Sequence, residues 1–106
     1  MDNEVITQNE VENDGKTIHL YFDRQIGLYV AYGFSAFFVS HIVNAVFSFS
    51  EELEMPVALM RKEKVTELRL STVKHRHDYH EYYRLELKRP IRLDGYVAWG
   101  KSLKWK

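Results

Sequence analysis

Three of the five histidines in this 106-residue chain fall within the stretch KHRHDYHEYY, from Lys74 to Tyr83. Imidazole nitrogens bind zinc, copper and nickel, and histidine also exchanges protons near neutral pH. If the flanking residues pair as a tight hairpin with its turn at Asp78 and Tyr79, one face of the hairpin carries the whole cluster near the tip. The cluster consists of His75, His77 and His80.

A hairpin tip is a poor place for a metal centre, because it is exposed and lacks the supporting hydrogen bonds that fix metal ligands. Aspartate and histidine are also ordinary turn and surface residues. We therefore expect a solvated tip without a metal or a cofactor, and we keep His75, His77 and His80 as weak metal-ligand candidates. The alternative is a pH-sensitive contact, since histidines that gain protons add positive charge.

The sequence carries no other motif for catalysis. The chain has no cysteine, which excludes disulfides, thiolate metal sites and cysteine nucleophiles. No serine lies in a G-x-S-x-G context, and no glycine-rich phosphate loop is present. We therefore expect no catalytic residues and a protein that is not an enzyme.

The formal net charge of zero conceals an asymmetry along the chain. Residues 1–60 carry nine acidic and two basic side chains, whereas residues 61–106 carry six acidic and thirteen basic ones, so the two parts have charges of −7 and +7. Such asymmetry is typical of proteins with a polyanionic partner. The alternative, which the sequence leaves open, is that the two parts neutralise each other within one fold.

The first fifteen residues contain five acidic side chains and three asparagines, with little apolar periodicity. We predict a disordered acidic tail over residues 1–15 and a single α+β domain over residues 16–106. The N-terminus lacks a basic region ahead of an apolar run, so we expect no signal peptide and a cytoplasmic protein.

Alternation of apolar and polar residues predicts an N-terminal β-hairpin. The stretches TIHLYF, residues 17–22, and LYVAY, residues 28–32, flank a five-residue loop that contains Gly27. This loop length places Phe22 opposite Leu28 and gives the hairpin one apolar face.

No aspartate, glutamate, lysine or arginine occurs in residues 25–50. The segment is long enough to span a bilayer, but Gly33 divides it and the polar His41 and Asn44 fall in its second part, so we expect no membrane span. Residues 35–49 instead predict one long helix that is apolar on nearly every side.

One sheet face cannot cover so wide an apolar surface, and such a helix is buried on more than one side. We therefore predict a homodimer or a larger protein partner. The predicted interface consists of Phe37, Phe38, Ile42, Val46 and Phe49.

The second half of the chain contains the strand-like stretches VALM, VTELRLSTV, YYRLELKR and YVAWG, with the hairpin signal Asp94-Gly95 before the last. The predicted fold class is therefore α+β, with an N-terminal β-hairpin and one long apolar helix packed on an antiparallel β-meander.

Two functions from different classes fit this chain. The first is nucleic-acid binding, since basic side chains neutralise phosphates and aromatic rings stack on unpaired bases. The basic, aromatic C-terminal sheet face that would bind consists of Arg69, Arg84, Lys88, Trp99, Lys101, Lys104, Trp105 and Lys106. The alternative is a protein-interaction module, a small inhibitor, adaptor or subunit that uses its apolar helix and aromatic surface.

Overall fold

The computed structural model describes residues 3–71, 73–79 and 81–104. In these residues, four helices and one six-stranded antiparallel sheet confirm the predicted α+β class. The elements in chain order are α1 (Asn3–Val11), β1 (Thr17–Asp23), β2 (Leu28–Tyr32), α2 (Gly33–Ser40), β3 (Val46–Ser50), β4 (Met55–Met60), α3 (Lys62–Ser71), β5 (Val73–Tyr79), β6 (Tyr82–Leu87) and α4 (Tyr96–Lys104). Across the sheet the strands are ordered β3-β4-β2-β1-β6-β5.

The sheet has an inner face, which packs against α2, α3 and α4, and an opposite outer face. Successive residues of a strand point to opposite faces, so in β1 the fully buried Ile18 and Leu20 lie on the inner face. His19 and Tyr21 lie on the outer face. The helices add Phe38 from α2, Val65 and Leu68 from α3, and Trp99 from α4 to the core on the inner face.

The N-terminal segment forms a helix, and the expectation of a disordered acidic tail there is wrong. Ile6 and Glu10 are four residues apart, lie on one side of α1 and are both buried. Asn9 donates a hydrogen bond to the Tyr21 hydroxyl across 2.8 Å. Asn13 donates another to the Thr17 carbonyl across 2.9 Å. These contacts hold α1 against the outer face, which the acidic composition did not indicate.

The β1–β2 hairpin is present, but its register differs by one residue from the prediction. Phe22 lies opposite Tyr29 rather than opposite Leu28. The loop is one residue shorter than expected because the Gly27 amide donates to the Asp23 carbonyl across 2.8 Å, with Gly27 at a φ of +67°. The shift moves Leu28 and its alternate neighbours to the outer face, where α1 covers part of them.

The single long apolar helix is also wrong, because residues 33–50 divide into helix α2 and strand β3. The hydroxyl of Ser40 donates to the Phe37 carbonyl across 2.5 Å, and a ring nitrogen of His41 lies 3.0 Å from the same oxygen, at the end of α2. The alternating stretch VFSFS then pairs with β4. Among the described residues, no helix is long and apolar enough to cross a bilayer.

Two of the predicted meander strands are helices. In α3, Val65 and Leu68 lie three residues apart and both are buried, which fits the period of a helix rather than that of a strand. The predicted hairpin at Asp94-Gly95 is instead a turn that begins α4, in which the Trp99 amide donates to the Gly95 carbonyl across 2.9 Å. The other two stretches form the expected strands, since VALM lies in β4 and YYRLELKR begins with β6.

Candidate nucleic-acid interface

The residues predicted to bind nucleic acid do not form one surface. Arg69 is exposed on α3, and Lys101 and Lys104 are exposed on α4, so all three lie on the inner side of the sheet. Arg84 lies in β6 on the outer face, and the exposed Lys88 follows that strand. The expected C-terminal sheet face is absent from the described residues because Tyr96–Lys104 is helical.

The side chain of Trp99 packs against the hydrophobic core. Its ring centroid lies 5.3 Å from that of Phe37 and 5.6 Å from that of Phe47, so the indole is half-buried between α2 and β3. The last two residues of the predicted set, Trp105 and Lys106, lie outside the described residues.

The outer face instead carries a feature that we did not predict, a row of tyrosines across four neighbouring strands. We call Tyr32 of β2, Tyr21 of β1, Tyr82 of β6 and Tyr79 of β5 the tyrosine row. Tyr82 lies directly opposite Tyr21 of β1 on one side and directly opposite Tyr79 of β5 on the other. The ring centroids along the row are 5.9, 5.2 and 5.5 Å apart, and the last two pairs are stacked.

The tyrosine row is covered at one end and open at the other. Tyr21 is only 3% exposed, because α1 lies over it, whereas Tyr79 is 53% exposed. Burial raises the pKa of Tyr21, Tyr32 and Tyr82, so these hydroxyls stay protonated. The open end, formed by Tyr82 and Tyr79, offers aromatic surface to a ligand, chiefly through the exposed Tyr79.

His19 completes the aromatic surface beside Tyr82. The two rings are nearly parallel, and the Nδ1 of His19 lies 2.5 Å from the Tyr82 hydroxyl. Burial, together with the positive charge of Arg84, lowers the pKa of His19 to about 4. The imidazole is therefore neutral near pH 7 and acts as a hydrogen-bonding ring rather than as a cation.

Arg84 supplies the positive charge of this surface. It lies opposite His19 of β1 and opposite His77 of β5. Its Nε atom is buried and has no hydrogen-bond partner in the described part of the chain. One terminal nitrogen lies 4.0 Å from Glu86, which also lies 3.2 Å from the Nε2 of His77. Arg84 is therefore only weakly paired, and one of its donors is unused.

The histidine hairpin is present, but its turn is displaced. β5 and β6 pair as far as Tyr79 opposite Tyr82, so the strand continues through Asp78-Tyr79 and the turn does not fall there. Because the turn is displaced, His75 lies opposite Glu86 rather than opposite Tyr82. A bulge between Val73 and His75 alters the register only on the side of His75 away from the turn.

The displaced turn changes the predicted histidine cluster. His75 and His77 share the outer face, two residues apart on β5, and His80 lies outside the described residues. Within residues 3–71, 73–79 and 81–104, no three histidine, aspartate or glutamate side chains form a group that could hold a metal ion.

The predicted protein interface is divided in a similar way. Phe37 and Phe38 are buried in the core and Ile42 is half-buried after α2. Val46, in contrast, is 65% exposed on the edge strand β3. Phe49 is half-buried beneath the Lys104 ammonium, which lies 5.5 Å from the ring centroid.

A shallow cleft beside the tyrosine row joins α1 to Arg84. Glu12 and Asp14 line this cleft together with His19 and Arg84. The acidic N-terminal segment therefore lies next to Arg84.

Comparison with known proteins gave no match, whether to a family model, to a curated protein sequence or to a solved structure.

Proposed function

We propose that this chain is a non-enzymatic protein that binds single-stranded nucleic acid on the outer face of β5 and β6. The observation that carries the proposal is the stack of Tyr79 on Tyr82 at the open end of the tyrosine row, beside Arg84. Aromatic rings on a sheet stack with unpaired bases, and a neighbouring arginine contacts the phosphates that connect them.

The shape of this surface favours a single strand over a duplex. The rings lie on one face of a sheet, and a base can stack on them only when it is unstacked from its neighbours. A duplex is read by elements that enter its grooves, such as a helix or a two-stranded ribbon, whereas the tyrosine row crosses four strands of the sheet. Because stacking accepts every base, we expect little sequence preference.

The mixed charge of the surface sets the expected strength. Arg84 is cationic, but the acidic Glu86 lies two residues away on the same face. Few phosphates are therefore neutralised, and we expect moderate affinity that weakens with salt. This activity needs no metal, no cofactor and no catalytic residue, and we propose the cytoplasm as its location.

The experiment is a titration of a fluorescently labelled oligodeoxythymidine with the purified protein, followed by fluorescence anisotropy at two salt concentrations. A duplex of the same length is titrated in parallel. We expect binding to the single strand, weaker binding to the duplex, and a lower affinity at the higher salt. Absence of binding, or a preference for the duplex, would contradict the proposal.

The second candidate function is a protein-interaction module. The observation in its favour is the exposed Val46 on β3, an edge strand that carries no charge between residues 46 and 50. Apolar interfaces respond little to salt, whereas phosphate contacts weaken steeply. The same salt series therefore distinguishes the two functions.

A further inference from the structure

The two edges of the sheet differ in chemistry. β5 forms one edge and carries Lys74, Arg76 and Asp78, and charges of this kind disfavour pairing with another strand. β3 forms the other edge, with the sequence VFSFS and neither a charge nor a proline. In the described residues, no further strand pairs with the outer edge of β3. One edge of the sheet is therefore protected and the other is open.

We propose that the outer edge of β3 pairs antiparallel with β3 of a second copy, so that the two sheets become continuous. Pairing centred on Ser48 is symmetric, because that residue then lies opposite its own copy. Phe47 of each chain lies opposite Phe49 of the other, on the inner face. Val46 lies opposite Ser50 on the outer face. Each side chain thus keeps the face that it has in the single chain.

The charges that flank β3 are complementary in this arrangement. Beyond the end of the strand, Glu51 lies opposite Ala45 of the second copy. Ala45 lines an open cleft together with Arg61, Glu63 and Lys64, of which Lys64 is paired with Glu67 across 2.9 Å. Glu51 and Arg61 are both exposed, and the symmetric pairing brings Glu51 of each copy towards Arg61 of the other.

This complementarity is the reason to choose a second copy over an unrelated partner. An antiparallel pair of identical strands uses the same patch twice, and here the patch has its acidic residues after the strand and the cationic Arg61 near the start of the strand. The exposed Val46 and Ile26 near that cleft would lose contact with water at the same time.

A charge-swap experiment at Ser48 tests the symmetry directly. Ser48 is exposed in the single chain, so S48E and S48K leave the core unchanged. In the dimer each variant places two like charges opposite each other, which is destabilising. We expect wild-type protein at high micromolar concentration to have twice the 12.6 kDa chain mass by light scattering. We expect S48E alone and S48K alone to be monomers.

An equimolar mixture of S48E and S48K is expected to recover the dimer, because opposite charges then meet at the two-fold axis. T66E, on the exposed face of α3, is the matched control and stays dimeric. A monomeric wild type would overturn the proposal. A dimer that persists in S48E would also overturn it, since the interface would then lie elsewhere. Neither result depends on nucleic-acid binding.

Discussion

Glu10 accepts two hydrogen bonds from Ser35, one from the amide across 2.8 Å and one from the hydroxyl across 2.7 Å. The hydroxyl of Ser35 in turn accepts a hydrogen bond from the His19 amide across 3.0 Å. The three residues link α1, α2 and β1, and all three are buried. This network fixes α1 over the covered end of the tyrosine row and leaves the other end open.

The network predicts that the fold is more stable at mildly acidic pH. Burial raises the pKa of Glu10 from 4.5 to about 7, despite the hydrogen bonds that favour the carboxylate. The folded state therefore prefers the protonated acid. The resulting stabilisation of the folded state is fully present below pH 4.5 and is lost as the pH rises through 7. The loss lowers the free energy of unfolding by up to about 3 kcal/mol.

Substitution of Glu10 by glutamine tests this account. The amide cannot ionise, so E10Q is expected to flatten the dependence of stability on pH between 5 and 8. Thermal unfolding followed by circular dichroism at each pH measures this dependence. E12Q is the control, because Glu12 is exposed directly after the same helix. A pH dependence in E10Q as steep as that of the wild type would exclude Glu10 as its source.

Substitution of Arg84 by glutamine is expected to lower the affinity for the oligonucleotide and also its salt dependence. Loss of one phosphate contact reduces the slope of log affinity against log salt by roughly 0.7 for a single strand. R69Q removes an equal charge from α3, on the inner side of the sheet, and is expected to leave the slope unchanged. Equal slopes for R84Q and R69Q would argue against a phosphate contact at Arg84.

Removal of the Glu12 charge is expected to strengthen binding. Glu12 lines the cleft beside Arg84, and an exposed carboxylate there repels the phosphates that Arg84 would contact. E12Q should raise the oligonucleotide affinity roughly twofold at low salt, since exposed ion pairs contribute less than about 1 kcal/mol. The control E63Q, on α3, should show no gain. An affinity for E12Q below that of the wild type would contradict this role.

Alternation of apolar and polar residues in the sequence predicted two strands of the sheet correctly. These strands are Thr17–Asp23 and Tyr82–Leu87. In α3, alternation at Leu68 and Leu70 indicated a strand, but Leu70 is 75% exposed and the buried pair is Val65 and Leu68. The apolar residues of this stretch fit both the two-residue period of a strand and the 3.6-residue period of a helix, and contacts with the sheet favoured the helix.

The site could not be predicted because its residues meet only through strand register. The tyrosine row spans residues 21 to 82, and the registers of β1 with β6 and of β5 with β6 decide which of its side chains are opposite. His19 and Tyr21 are two residues apart in the sequence, as are Tyr82 and Arg84. This spacing indicated that the members of each pair share a face of a strand, but not that the two pairs lie side by side in the sheet.

The most direct test of the proposed function compares Y79A with Y79F in the anisotropy titration. Tyr79 is exposed, so neither change disturbs the core, and phenylalanine keeps the ring on which a base would stack. Loss of one stacked base costs about 1–3 kcal/mol. We therefore predict that Y79A binds oligodeoxythymidine about tenfold more weakly and that Y79F binds it nearly as well as the wild type. Equal binding by Y79A and the wild type would contradict the tyrosine row as the nucleic-acid surface.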